Sequence, residues 1–280
     1  MDQKLIVAGL ILLGLAAAVP LGAQFLPEEI AQRGQWEEFM VTAEIVRSEP
    51  LGQGVTKPWR LFLRKDDVER AGAWKNIDKK ILTGGRDSWK YEIAAYRLDK
   101  LIGLGMVPPA VEKEFRGKAG ALSLWADSKY NLLEIVEQGV RIPVSAQKHL
   151  DDMGFVYRLW GSLIANDDPT QENIKYTEDW RMILIDHSRA FRTDKEYTTR
   201  LVFGVNGIKR YQATGQPYLI RRVPRSLFER IKALDAAAIK QAVGPYLTDK
   251  EIQAVVARVR LIEVEMSEMI KQHGEGTVLY

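Results

Sequence analysis

A polar loop followed by two short apolar strands is the feature that most constrains this chain. The loop, NDDPTQEN, spans residues 166–173 and carries the carboxylate of Asp168 five positions before the amide of Asn173. Strands are predicted at residues 173–176 and 180–186, and the second one ends on the carboxylate of Asp186. Mg²⁺ prefers oxygen ligands and is usually held by one or two carboxylates together with phosphate and water. The pattern therefore favours a metal site where the second strand ends in a cleft.

The composition is compatible with a folded core and excludes several kinds of site. Hydrophobic residues make up 46% of the 280 residues and charged residues 28%, which is ordinary for a globular protein. A net charge of +3 is too small to indicate nucleic acid as the main partner. The absence of cysteine excludes thiolate zinc sites, disulfides and a cysteine nucleophile. The three histidines are scattered, which argues against a histidine-based metal hydrolase.

The first 24 residues have the layout of an export signal. Lys4 precedes an apolar run at residues 5–15, and small residues with Pro20 follow it. The wider run over residues 5–25 is also just long enough to span a bilayer, so an uncleaved membrane anchor is the alternative, and a buried N-terminal helix is a third option. Either of the first two interpretations predicts that the rest of the chain is exported, periplasmic or secreted, or held at the membrane by this segment alone.

The hydrophobic patterns predict many strands in the first half and many helices in the second. The predicted strands of the first half are residues 41–47, 59–64, 71–77 and 120–126. The predicted helices are residues 28–40, 89–102, 155–164 and 249–272. Ser226 and Thr248 each begin an S/T-x-x-E pattern that is typical of a capping box. We therefore expect an α+β protein with a strand-rich lobe over residues 25–126, a helical lobe over residues 127–280, and a cleft between them.

The segment that contains the polar loop also resembles a known signature. LIANDDPTQENIKY, followed by RMILIDHSRAF, is similar to the D-R-H-x-x-N-I … I-D-x-x-x-x-F pattern of the atypical kinases. This group comprises phosphatidylinositol 3-/4-kinases, HipA-type toxins and secretory-pathway kinases related to the Golgi casein kinase. The resemblance implies that Asp168 is the catalytic or acceptor-orienting carboxylate, and that Asn173 and Asp186 bind Mg²⁺ or Mn²⁺. Asp167 is a rival for the role of Asp168.

The upstream half of the chain fits the same register. Lys75 lies in the predicted strand AGAWKNID, and Glu92 follows seventeen residues later on the next predicted helix. In protein kinases a lysine–glutamate pair of this kind orients the lysine toward the nucleotide phosphates. The phrase YEIAAYRLDKLIGLGMVPP is itself similar to bacterial members of the secretory-kinase-like group.

Three further residues complete the nucleotide site that the resemblance implies. Gly52 and Gly54 lie between the first two predicted strands, where glycine would let the backbone approach the phosphates. Trp125 falls where the hinge of a kinase would contact adenine.

The resemblance implies a two-lobed protein-kinase-like fold and a phosphotransferase that depends on ATP and a divalent metal. The acceptor would be a hydroxyl of a protein or carbohydrate outside the cytoplasm, and nucleic acid is not an expected partner. The chain departs from the signature where Pro169 and Thr170 replace its Arg-His pair. That departure and the export signal leave open a pseudokinase or scaffold that retains the fold. A kinase-fold transferase of AMP, or one that activates glutamate, is also open, because the same metal residues would serve it.

Overall fold

The computed structural model describes residues 25–52, 58–82, 84–166, 168 and 170–280. The predicted signal or anchor at residues 1–24 lies outside these residues, as do Gly54 and Asp167. Among the residues described, no helix is both long enough and apolar enough to cross a membrane.

Strands dominate the first half of the described chain. The strands of the described residues are β1 (Glu44–Pro50), β2 (Trp59–Lys65), β3 (Val68–Lys75), β4 (Asp78–Lys80), β5 (Arg86–Ser88), β6 (Ala110–Phe115), β7 (Lys118–Leu124), β8 (Tyr130–Asn131), β9 (Ile174–Tyr176) and β10 (Met182–Leu184). Five of them form an antiparallel sheet in the order β1-β2-β3-β7-β6, β4 and β5 form a separate hairpin, and β8, β9 and β10 form a small third sheet. The strands predicted at residues 59–64, 71–77 and 120–126 are thus confirmed, with shifted ends.

Helices dominate the second half. The helices are α1 (Pro27–Ala31), α2 (Arg33–Thr42), α3 (Lys90–Ile102), α4 (Leu132–Glu137), α5 (Val144–Leu163), α6 (Lys195–Thr199), α7 (Arg225–Lys232), α8 (Ala236–Val243), α9 (Asp249–His273) and α10 (Glu275–Val278). Single 3₁₀ turns occur at Gln171–Asn173 and Gly244–Tyr246. The strand-rich first half and helix-rich second half confirm the predicted α+β class.

The five-stranded sheet buries one face against α2. Leu61 and Leu63 alternate along β2, as period-2 spacing requires, and both are buried with Phe39 and Met40 of the helix. The helix carries these two buried residues in its second half and runs to Thr42. The strand predicted from residue 41 is wrong at its start, because β1 begins only at Glu44.

Helix α3 lies between the sheet and the helical half and contributes to the larger core. Ile93, Tyr96 and Leu98, which recur near helical spacing, are fully buried, whereas Leu101 of the same apolar pattern is 38% exposed. Gly103 ends the helix in a left-handed conformation, with φ of 61°, which is the usual place for glycine after a helix. The first turn of this helix carries Glu92, so the packing of α3 fixes where that carboxylate points.

Two predictions about helix ends in the second half are wrong. Helix α5 begins at Val144, eleven residues before the predicted start at residue 155. Asp152, after which the helix was expected to start, lies inside it, where its carboxylate contacts Lys148 at 2.8 Å and Arg222 at 3.3 Å. Helix α7 begins after Pro224, and Ser226 makes no cap.

Helix α9 is the central element of the helical half. Its predicted capping box is confirmed, because Thr248 Oγ1 accepts from the backbone N–H of Glu251 and the Glu251 carboxylate accepts from the N–H of Thr248. The fully buried Arg258 donates to the carbonyls of Leu163, Arg192 and Tyr197. These bonds connect α9 to the end of α5 and to the segment that follows β10, and both of those segments border the candidate site.

Candidate functional site

Three charged residues that the sequence predicted from distant segments meet at one point. Lys75, the last residue of β3, places its Nζ 3.1 Å from Glu92 Oε1 of α3 and 2.6 Å from Asp186 Oδ1, two residues beyond β10. The side chains of Lys75 and Glu92 are only 11% and 6% exposed, whereas Asp186 is 36% exposed. The lysine is thus buried between two carboxylates, and Asp186 faces the opening of the site.

Lys75 and Glu92 each shift the pKa of the other in the direction that keeps both side chains charged. Burial alone would lower the pKa of Lys75, but the Glu92 and Asp186 carboxylates outweigh that effect and hold the pKa well above its usual range. Burial likewise would raise the pKa of Glu92, but the Lys75 ammonium and His187 hold it well below its usual range. Both groups are therefore charged at neutral pH.

His187 supports the second oxygen of Glu92. Its backbone N–H donates to Glu92 Oε2 at 3.0 Å, and its ring is buried. The indole N–H of Trp160 donates to Nε2 of the ring at 3.3 Å, which leaves the ring proton on the side of Nδ1. The residue after Asp186 is therefore fixed to α3, and this attachment positions Asp186 itself.

The backbone of Asp186 adopts an uncommon conformation that directs its side chain. Its φ is 60°, in the left-handed region that aspartate tolerates better than most residues. Oδ1 accepts from Lys75 and from Ser188 Oγ at 3.1 Å. None of the residues described donates to Oδ2, so this oxygen is available to a cation from the cleft.

Strand pairing brings Asn173 to the same end of the site. Ile174 pairs with Leu184 in the β9–β10 ladder, and the N–H of Ile185 donates to the carbonyl of Asn173 at 3.0 Å. The Asn173 side-chain amide makes no hydrogen bond within the described part of the chain. It lines a narrow cavity of about 10 Å³ next to the larger cleft, and Ile185 borders both. An amide oxygen and a carboxylate oxygen that have no partner among the described residues fit Mg²⁺ or Mn²⁺, whose other ligands would be phosphate and water.

Asp168 lies on the polar loop after α5 and is held by an arginine that the sequence reasoning missed. Arg189 Nη1 donates to Asp168 Oδ2 at 2.7 Å, and Arg189 Nε donates to Asp87 at 3.4 Å. The N–H of Asp168 donates to Asn166 Oδ1 at 3.3 Å. The only sequence signal for Arg189 is its position three residues after Asp186, which does not by itself predict a partner.

The cleft in front of Lys75 has apolar walls. It measures about 220 Å³, and Lys75, Glu92 and Asp186 are among the residues that line it. Its walls are formed by side chains of the sheet, the segment after β7 and β10; these include Ala73, Ala121, Leu124, Trp125 and Leu184. Trp125 directly follows β7, and its N–H donates to the carbonyl of Ala71 at 2.9 Å. The tryptophan thus borders the cavity where the sequence placed a hinge contact.

The cleft has two features at its edges that the sequence reasoning did not anticipate. Gly52 is exposed and does not line the cavity; Leu51 and Pro58 form that edge instead. Lys175 of β9 does line the cavity, and the described residues offer its ammonium group no hydrogen bond or ion pair. The cavity is therefore lined by a second cationic side chain, Lys175, besides Lys75.

The comparisons with known proteins identify the fold. No family model matches the sequence, and no curated protein matches it. The structure of hydra Fam20 with sugar is similar over 93% of this chain and 95% of its own, with a TM-score of 0.63 and 15% identity. The Helicobacter pylori proinflammatory kinase CtkA is similar over 84% of this chain and 98% of its own, with a TM-score of 0.53 and 10% identity. This chain therefore has the two-lobed fold of the atypical kinases, as the sequence predicted.

Proposed function

We propose that this chain is a phosphotransferase that uses ATP and a divalent metal, and that it acts on a protein or sugar hydroxyl outside the cytoplasm. The observation that carries the proposal is the contact of one buried lysine with both Glu92 and Asp186, and all three residues line an apolar-walled cleft. This arrangement presents an ammonium group and a free carboxylate oxygen to the same opening. Phosphoryl transfer requires such positioned charges more than it requires covalent chemistry by the protein.

The size and the apolar walls of the cleft suit the purine base of a nucleotide. Pockets that enclose a whole drug-sized ligand measure roughly 300–1,000 Å³. A cavity of about 220 Å³ therefore encloses only part of ATP, and the Trp125 indole and the apolar walls favour the purine ring. The phosphates would extend toward the exposed side of Asp186, where Lys75 supplies the charge that they require.

The residues around the opening would bind the metal ion and orient the acceptor hydroxyl. Asn173 and Asp186 would hold Mg²⁺ or Mn²⁺, which neutralises charge on the phosphate oxygens when bound. Asp168 would orient the acceptor hydroxyl. The hydroxyl oxygen bonds to the γ-phosphorus as the bond between that phosphorus and the β-phosphate oxygen breaks; ADP leaves, and the hydroxyl proton passes to the Asp168 carboxylate.

The acceptor, the reaction and the location each rest on a separate support. The structure of hydra Fam20, which shares this fold, was determined with sugar. This favours a carbohydrate as one class of acceptor to test. CtkA is a kinase, which favours phosphoryl transfer as the reaction. The location outside the cytoplasm rests on the apolar N-terminal sequence alone.

Calorimetry of ATP binding to the full-length chain, with and without Mg²⁺ or Mn²⁺, tests the proposal. We expect metal-dependent binding by the wild type and its loss in Asp186→Asn, because the variant removes the charge of a proposed metal ligand. Asp151→Asn is the matched control, since Asp151 is an exposed carboxylate on α5. If the wild type binds no nucleotide with either metal, the proposal is wrong.

Mass spectrometry of the chain and of protein and glycan acceptors after incubation with ATP separates the remaining alternatives. Transfer of phosphate supports the proposed reaction, and transfer of AMP indicates the adenylating transferase. Metal-dependent binding without transfer to any acceptor would indicate a pseudokinase.

A further inference from the structure

We propose that Arg189 is a positioning residue that holds Asp168 in place, and that the buried carboxylate of Asp87 anchors Arg189. The effect of this chain of contacts on turnover rests on the proposed phosphotransferase function. The contacts themselves connect the hairpin in front of α3 with the loop that carries the proposed catalytic carboxylate.

Arg189 binds Asp168 in a way that leaves one carboxylate oxygen available. Its Nη1 donates to Oδ2 at 2.7 Å, which is the short distance typical of a charge-assisted bond. No described residue donates to Oδ1, and the Asp168 side chain is 42% exposed. A carboxylate that is fixed through one oxygen can accept from an acceptor hydroxyl through the other.

Asp87 gives Arg189 a rigid anchor. Its side chain is 0% exposed, and Arg189 is its only ion-pair partner within the described ranges, with Nε 3.4 Å from Oδ2. Oδ1 has no hydrogen-bond partner there. Because a buried carboxylate without a counter-ion is strongly unfavourable, Asp87 restrains the guanidinium. Burial would lower the pKa of Arg189, but Asp168 and Asp87 outweigh it and raise the pKa, so the group remains charged.

Backbone contacts hold Asp87 against the segment that contains Arg189. The N–H of Ser88 donates to the carbonyl of Ser188, the residue before Arg189, at 2.8 Å. The β4–β5 hairpin also approaches that segment through Gly85, whose φ is 78°. A Cβ at Gly85 would lie 2.5 Å from Arg192 Cδ, so the approach requires glycine. Helix α3, with Glu92, starts directly after these contacts.

Arg189 gives Asp168 a cationic partner although this chain departs from the atypical-kinase signature. The signature has an Arg-His pair after its aspartate, and here Pro169 and Thr170 occupy those positions. A guanidinium nevertheless reaches Asp168, but it comes from the segment after Asp186. The missing arginine in the loop is therefore not evidence that Asp168 lacks a cationic partner.

Steady-state Mg²⁺-ATP hydrolysis by the full-length chain tests the positioning role, with water as the acceptor. We expect Arg189→Met and Asp87→Asn each to lower kcat by about 10- to 100-fold, since a misplacement of about 1 Å costs up to roughly 100-fold. KM for ATP should stay within about twofold, because neither residue lines the nucleotide cavity. A purely structural role would change stability or KM and leave kcat at saturation unchanged.

Two further variants sharpen the test. Asp87→Asn should have little additional effect on kcat when Arg189 is already methionine, because both residues act through the same contact. Arg86→Met is the matched control, since Arg86 forms an exposed pair with Asp78 at 2.6 Å on the same hairpin. If Arg189→Met does not fold, Arg189→Lys takes its place in the test. Lysine keeps the positive charge but lacks the planar guanidinium, so we expect a kcat between that of the wild type and the value expected for Arg189→Met.

Hydrogen–deuterium exchange of residues 164–173 supplies a readout that needs no turnover. Exchange should be faster than wild type in Arg189→Met and Asp87→Asn, and unchanged in Arg86→Met. If the wild type neither binds nor hydrolyses ATP but exchange changes as expected, the proposed function is wrong and the positioning contact is supported. If Arg189→Met leaves both kcat and exchange as in the wild type, the inference is overturned.

Discussion

Replacement of Lys75 by methionine removes the cation that neutralises Glu92. The Glu92 side chain is 6% exposed, and its remaining contacts are the backbone N–H of His187 at 3.0 Å and the His187 ring. Removal of one partner of a buried ion pair typically costs about 3–5 kcal/mol. At about 2–4 °C per kcal/mol for a large domain, we expect a loss in Tm on the order of 10 °C.

The loss should depend on pH in a defined direction. The usual pKa of Glu92 is 4.5, and Lys75 holds it below that value in the wild type. The wild-type pair therefore adds stability above pH 4.5, and this contribution is lost as the pH falls through the native pKa. In Lys75→Met, burial without a cation raises the pKa above 4.5, so the penalty is present at high pH and disappears as the carboxylate is protonated. The difference in the free energy of unfolding between the wild type and Lys75→Met should be largest near pH 8 and smaller toward pH 5.

Urea unfolding followed by tryptophan fluorescence at pH 8, 6 and 5 measures this difference. Lys75→Met/Glu92→Gln should recover most of the stability, because it removes the stranded charge. Lys118→Met, at an exposed position on β7, is the control and should match the wild type. A Lys75→Met protein within about 1 kcal/mol of wild type at pH 8, or a difference independent of pH, would refute this account of the buried pair.

Two further predictions concern the base end of the cleft and the helix caps. Trp125→Ala should raise the Kd for ATP by at least about fivefold in calorimetry, since stacking of a base on an aromatic ring is worth about 1–3 kcal/mol; an unchanged Kd would place the base elsewhere. Thr248→Ala should cost about 1 kcal/mol in urea unfolding because Thr248 caps α9. Ser226→Ala should cost less than about 0.5 kcal/mol, because Ser226 lies inside α7 without a capping bond. Equal costs for the two substitutions would contradict the observed caps.

Predictions that depend on neighbouring residues were the most successful. The strand at residues 59–64 and the helix at residues 89–102 follow from period-2 and helical spacing, and both are confirmed within a residue. The cap at Thr248 needs only Glu251 three residues later. The predicted start of α5 was wrong because the charge of Asp152 is neutralised inside the helix. Its partners are Lys148 and a residue seventy positions away, Arg222.

The placement of the site could be predicted only in part. Strand pairing brings Asn173 and Asp186 to one end of a hairpin, as their spacing suggested, and Lys75 and Glu92 pair across β3 and α3. Gly52, by contrast, lies away from the cavity that it was expected to border. The roles of these residues in binding nucleotide and metal remain predictions for the experiments above.

The amino-acid sequence by itself determined the order of strands and helices and the kinds of charged residue along them. Those properties arise from side-chain periodicity and from chemistry within a few residues. Only the tertiary structure decided that Lys75 contacts two carboxylates at once, and that Arg189 reaches Asp168 and also Asp87, 102 residues earlier in the chain. Contacts across such separations depend on how the hairpin, α3 and the polar loop of Asp168 pack together, and no local spacing encodes that packing.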